Sequence, residues 1–234
     1  MNTSLSLLAF TAVTIGFIHT VLGPDHYVPF VAMARAGGWS GRKTLWITFL
    51  CGLGHIGSSI ILGFIGIALG LAVGKLEALE SARGNLAAWA LIAFGLVYTV
   101  WGLRRALRNH HDHKHLLPHH HHNAASESGG SHIDSQSEGR PDLTPWIMFT
   151  VFVLGPCEPL IPLVMYPAAQ HSFSGVVVVA AVFGVTTVAT MMAIVAALRA
   201  GVQLLPLEPL ERFTHALAGG AILACGLSIH FLGL

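Results

Sequence analysis

Charge is the scarcest property of this sequence. Only 10% of its 234 residues are Asp, Glu, Lys or Arg, where a soluble domain carries about 25%. With 53% hydrophobic residues beside so few charges, the chain cannot cover a soluble surface, which points to an integral membrane protein. Cysteine is nearly as scarce: Cys51, Cys157 and Cys225 are the whole complement. None forms a C-x-x-C pair, so a disulfide framework is not expected. There is no basic stripe to suggest nucleic acid, and no nucleotide-binding motif. The amino terminus lacks the basic residues of a signal peptide and its apolar run exceeds a signal core, so cleavage near Ala32-Met33-Ala34 is not expected.

Long apolar runs are what the chain does have. Six are long enough to span a bilayer, which takes about 20 residues each: Leu5–Ala34, Thr44–Val73, Leu86–Leu107, Pro145–Pro167, Val176–Leu198 and Phe213–Leu232. They predict an all-α polytopic membrane protein of one membrane domain. Residues 1–108 form a first three-helix repeat, 109–143 a His-rich loop without apolar patterning, and 144–234 a second repeat. Three helices per half is an odd number, so the second half is expected to be inverted relative to the first. Lysine and arginine set the orientation. With the amino terminus outside, ten of the twelve face the cytoplasm and only Lys75 and Arg83 lie outside. Both termini are then external and the His-rich loop is cytoplasmic, in the cytoplasmic (inner) membrane of a bacterium.

The first and fourth runs are each interrupted. Gly23-Pro24 is followed by Asp25-His26 and Pro29, and Gly155-Pro156 by Cys157-Glu158, Pro159 and Pro162. Proline lacks the N–H a helix needs and clashes with the preceding turn. Broken helices in corresponding halves are the sequence pointer to a transporter's midplane site. Of eleven acidic residues, only Asp25 and Glu158 fall inside the predicted spans, and ionisable groups there are costly and functional by default. His19 precedes the first break, and His55 lies mid-span with Cys51 one turn before it. His19, Asp25, His26, His55, Cys157 and Glu158 are therefore the expected ligands of a metal ion. Imidazole with carboxylate suits nickel, cobalt or zinc, and a histidine-rich tract can also chelate copper. The histidines of the central loop, His110, His111, His113, His115, His119, His120, His121 and His122, are expected to collect metal. His215 and His230 are expected to be structural or interfacial, His171 an entrance ligand, and Gly66, Gly70 and Gly74 close-packing residues.

His19…Asp25-His26 resembles the His-x4-Asp-His signature of nickel/cobalt transporters, and Leu53-Gly54-His55 with Ser58-Ser59 resembles their Leu-Gly-His-Ser stretch. The six-span layout with a His-rich central loop is similar to the efflux branch and to urease-accessory membrane proteins. That resemblance implies a carrier rather than an enzyme, with nickel or cobalt as cargo and no tightly bound cofactor. Its partners are the bilayer and the ion, with room for a homo-oligomer or an accessory protein. A second resemblance competes: Pro156-Cys157-Glu158-Pro159 is similar to the Pro-Cys-x-Pro of membrane thiol–disulfide electron carriers, which place a cysteine in each half. Metallo-enzyme accessory proteins and sulfite or organic-anion exporters are further alternatives, although the acidic motif favours a cation over an anion.

Overall fold

A computed structural model describes residues 3–108, 144–170, 172–204 and 208–232, which are helical throughout apart from short turns. The His-rich loop with all its expected metal-collecting histidines, and His171, lie outside the described residues. In chain order the elements are α1 (Thr3–Leu22), a 3-10 turn (Pro24–His26), α2 (Val28–Ala36), α3 (Gly41–Ala68) and α4 (Val73–Arg108). After the loop come α5 (Thr144–Leu154), α6 (Leu160–Ala169), α7 (Phe173–Leu204), a second 3-10 turn (Glu208–Phe213) and α8 (Thr214–Leu232). Lipid offers no hydrogen bonds, so a spanning backbone must pair within itself, and helices do this. The outer faces are apolar: Leu7 and Phe10 on α1, Trp146 on α5, Phe173 and Val185 on α7 stand exposed. Such a surface suits hydrocarbon, and the chain is a multi-pass membrane protein.

Among the described residues, five helices are long and apolar enough to cross a membrane, rather than six. The fourth expected span is two short helices of 11 and 10 residues, α5 and α6, with the break between them. The first expected span also divides. Its α1 has 20 residues, about 30 Å at 1.5 Å per residue, so the break comes after a full crossing length, and α2 follows as a 9-residue helix. Each half thus runs broken helix, long helix, further helix.

The helices pack by small residues, as membrane helices do. Along the antiparallel α4–α8 pair, a Cβ on Gly95 would come 2.4 Å from Leu223 N, one on Gly102 2.4 Å from Ala216 N, and one on Gly219 2.4 Å from Thr99 N. α1 lies along α7, α2 against α8, α3 against α5 and α7, and α6 against α7. The three glycines expected to act alike do different things. Gly66 is a packing residue, since a Cβ there meets Leu76 at 2.4 Å. Gly70 instead ends α3 in the left-handed region at φ +63, with Leu71 N–H donating to Gly66 O at 2.9 Å, a glycine C-cap. Gly74 has open space around it.

Two apolar clusters fill the interior. One gathers Phe30, Met33, Cys51, Phe152, Met191 and Ile222, the other Ile56, Cys157, Leu160, Val179 and Phe183. His55 follows Cys51 by one turn and adjoins Ile56, so it sits at their seam. That seam holds the site.

Candidate functional site

The first break is held by its own residues. Gly23 N–H donates to His19 O at 3.0 Å and closes α1, and Pro24 opens the 3-10 turn. His26 Nδ1 lies 3.1 Å from Gly23 O and 3.2 Å from Asp25 Oδ1, so this nitrogen is the donor and Nε2 faces inward. Gly23 has to be glycine: a Cβ would come 2.5 Å from His26 Nδ1 and 2.8 Å from Asp25 Oδ1. Pro29 then occupies the first turn of α2, where a missing N–H costs nothing.

The second break is held from outside. A helix end leaves its last carbonyls without partners; in α5, Gly155 N–H serves Val151 O at 2.9 Å and Phe152 O at 3.1 Å, and side chains of α3 and α4 supply the rest. His55 Nδ1 reaches Phe152 O at 3.4 Å, and Arg83 donates to Val153 O at 2.8 Å and Gly155 O at 3.4 Å. Arg83 also donates to Ser58 Oγ at 2.7 Å and pairs with Glu80 Oε1 at 2.5 Å. The other oxygen of Glu80 accepts from Ser59 Oγ at 3.2 Å and from the backbone N–H of Cys157 at 3.0 Å. Pro156 packs on Gly84, where a Cβ would come within 2.8 Å of the ring. Pro159 caps α6, and Pro162 lies in its first turn. The Leu53–Ser59 stretch therefore serves twice: its histidine faces the site and its serines join the clamp.

Between the breaks, ligand atoms of His19, His55 and Cys157 lie within 4.8 Å of one another. The rings of His19 and His55 are nearly parallel, with centroids 6.5 Å apart, and His26 stands edge-on to both at 4.8 and 5.2 Å. His26, His55 and Cys157 are buried. The Nε2 atoms of His19, His26 and His55 are all buried without a hydrogen-bond partner. Buried polar nitrogens without partners are rare, and three aimed at one seam amount to a binding surface.

The six expected ligands thus divide. His19, His55 and Cys157 come together, and His26 stands beside them. Asp25 is turned to His26 Nδ1, while Glu158 is exposed. Asp25, Glu158, His19 and His26 line one cavity of about 560 Å³. Cys157, between Pro156 and Glu158, points away from it, because successive residues of a non-helical run alternate sides. His230, taken as structural, lines this cavity too, and its Nδ1 is buried without a partner. His215 is bonded to Tyr98 OH at 2.9 Å and stacks edge-on to Trp101. Glu80 and Arg83 were not legible as site residues. Glu80 is a third acid inside the helical bundle, because α4 begins at Val73 rather than near Leu86.

Paired helix breaks around a thiol and imidazoles, inside a bundle of apolar helices, define a polytopic membrane protein with an intramembrane thiol–imidazole site. The chain belongs to the family of the cytochrome c biogenesis protein transmembrane region, whose family model matches residues 27–228. No curated protein and no solved structure matches the chain. The family match corrects the expected membership among nickel/cobalt transporters, and nickel or cobalt as cargo loses its support with it. The histidine signature also departs from theirs, with five residues rather than four between His19 and Asp25. The matched segment contains His55, Glu80 and Cys157 and starts just after His26.

Proposed function

We propose that the chain is an intramembrane carrier of the thiol–disulfide electron-carrier class, with Cys157 as its working sulfur. One observation carries this: Cys157 sits in the non-helical residues of the second break, fixed through its N–H by Glu80, with His19 and His55 within 4.8 Å. Family membership and the Pro-Cys-x-Pro stretch support the same class. The thiolate is the reacting form of cysteine, and an imidazole at this range is placed to take its proton. The first break carries Asp25-His26 and no cysteine, so the second sulfur must come from elsewhere. Cys51 is our choice, since it lies on α3 one turn before His55 and α3 contacts both α5 and α6. Both are buried and neither is paired in a disulfide. Their oxidation to one disulfide releases two protons and two electrons, and exchange passes the pair to a partner protein's disulfide, leaving that protein as a dithiol.

Thiol trapping in native membranes tests this. After an oxidising pulse, alkylation mass shifts should show one disulfide in the parent chain and none in Cys157→Ser. In Cys51→Ser a mixed disulfide between Cys157 and a partner should accumulate, and Cys225→Ser should behave as the parent. A Cys157 that stays reduced through oxidant and reductant alike overturns the proposal.

We further propose two inverted three-helix halves, with the His-rich loop cytoplasmic and the termini external. Arg83 drops out of the external charge count, because it is paired with Glu80 inside the bundle. The remaining asymmetry is steeper than the sequence count, and asymmetry of lysine and arginine sets orientation. Compartment reporters in the loop and at the carboxyl terminus should report cytoplasm and exterior respectively. A loop reporter active outside reverses the orientation.

A further inference from the structure

We infer that His19, His55 and Cys157 form a binding site for copper(I). This goes beyond electron transfer and does not depend on it, although both use one sulfur, so a bound ion and a disulfide at Cys157 exclude each other. The donor set comes first. One sulfur and two ring nitrogens lie within 4.8 Å of one another, close enough to converge on a single ion. Thiolate is a soft ligand that selects copper(I), zinc and iron–sulfur clusters, and imidazole suits zinc and copper. Hard oxygen ligands are absent from the trio: Asp25 is engaged with His26, and Glu158 is exposed in the neighbouring cavity.

Two further observations on these histidines point to a ligand. The Nε2 atoms of His19 and His55 are buried and unpartnered, which leaves their lone pairs for something that is not protein. His55 Nδ1 is held by Phe152 O at 3.4 Å. That fixes the proton on Nδ1 and frees Nε2, the arrangement by which metal-ligating histidines are oriented.

Charge and ligand count then choose the ion. Binding replaces the thiol proton with the metal. Copper(I) on one thiolate and two neutral imidazoles is electrically neutral, and a neutral centre avoids the large penalty for placing net charge in a low-dielectric interior. Zinc would leave a net positive charge. It also takes four ligands in closed sites, and the trio offers three. His26 Nε2, also unpartnered, faces the same seam from the wall of the large cavity, where it can hand an entering ion to the trio.

The test titrates the reduced full-length protein in detergent with copper(I), buffered by a competing chromogenic chelator. X-ray absorption is recorded at one equivalent. We expect one tight site with one sulfur and two nitrogen scatterers, and zinc bound more weakly in the same competition. Loss of an outer-shell partner typically weakens a metal site about 10–100-fold, so Cys157→Ser and His55→Ala should each weaken the tight site by about 100-fold or more. Glu158→Gln should leave the affinity unchanged. Nitrogen and oxygen scatterers alone at one equivalent would assign the copper to the loop histidines and overturn the proposal, as would a zinc site of equal or greater affinity. The spectrum of the parent protein decides even where a variant fails to fold. Thiol trapping reports the electron-carrier reading separately: copper bound through sulfur without disulfide exchange leaves the copper site standing, and exchange without copper leaves the carrier standing.

Discussion

Arg83→Met is expected to destabilise the bundle by about 3–5 kcal/mol, the cost of leaving one member of a buried ion pair alone. Glu80 is fully buried on α4 and would be left with only Ser59 and the Cys157 N–H as partners. Val153 O and Gly155 O would lose their donor in the same step, so the α5–α6 break should loosen along with the fold. The double variant Glu80→Leu/Arg83→Met should recover part of the loss. It removes the unpaired carboxyl group but leaves the buried Cys157 N–H without an acceptor, which costs about 1–3 kcal/mol. Unfolding of the three variants in mixed micelles by a denaturing detergent measures the ranking. A single variant as stable as the parent would show that the pair does not hold the break.

Gly219→Leu should be of comparable severity for a different reason. The first added carbon would meet Thr99 N at 2.4 Å and Thr99 Oγ1 at 2.6 Å, so backbone rather than a flexible side chain stands in its way. Overpacking a core costs about 1–3 kcal/mol where side chains can move aside, and here α8 must separate from α4, so the loss should reach or exceed the top of that range. Gly201→Leu on α7, where nothing lies within 4 Å of the new carbon, is the matched control and should be neutral. The same detergent unfolding compares them. Equal stability of the two variants would mean that α4 and α8 are not tightly apposed.

The breaks and the seam residues were legible in the sequence because proline and glycine interrupt a helix wherever they fall, and because His19, His55 and Cys157 are exceptional in apolar surroundings. Which acids join them was not. Asp25 and Glu158 share a cavity, but each is one position from the residue that turns inward, and a non-helical run gives no phase from which to read that. Glu80 and Arg83 escaped notice because a hydropathy window ends where charges begin. α4 continues for a further three turns and more past that point, carrying an ion pair that satisfies itself and a neighbouring helix end. The split of the fourth expected span followed from Gly155-Pro156, whereas the full crossing length of α1 ahead of Gly23 did not follow from its proline. The family was least legible, since short histidine spacings and a short Pro-Cys-x-Pro stretch point in different directions over one layout.

The two breaks differ in what secures them. The first is closed by bonds among neighbours in sequence, from His19 to Tyr27. The second is latched by side chains of α3 and α4 that lie far along the chain. A latch of this kind makes Cys157 conditional. Under the proposed exchange, its sulfur would meet a visiting molecule only once Glu80 and Arg83 release the segment that bears it, which ties the pace of exchange to the lifetime of a carboxylate–guanidinium contact.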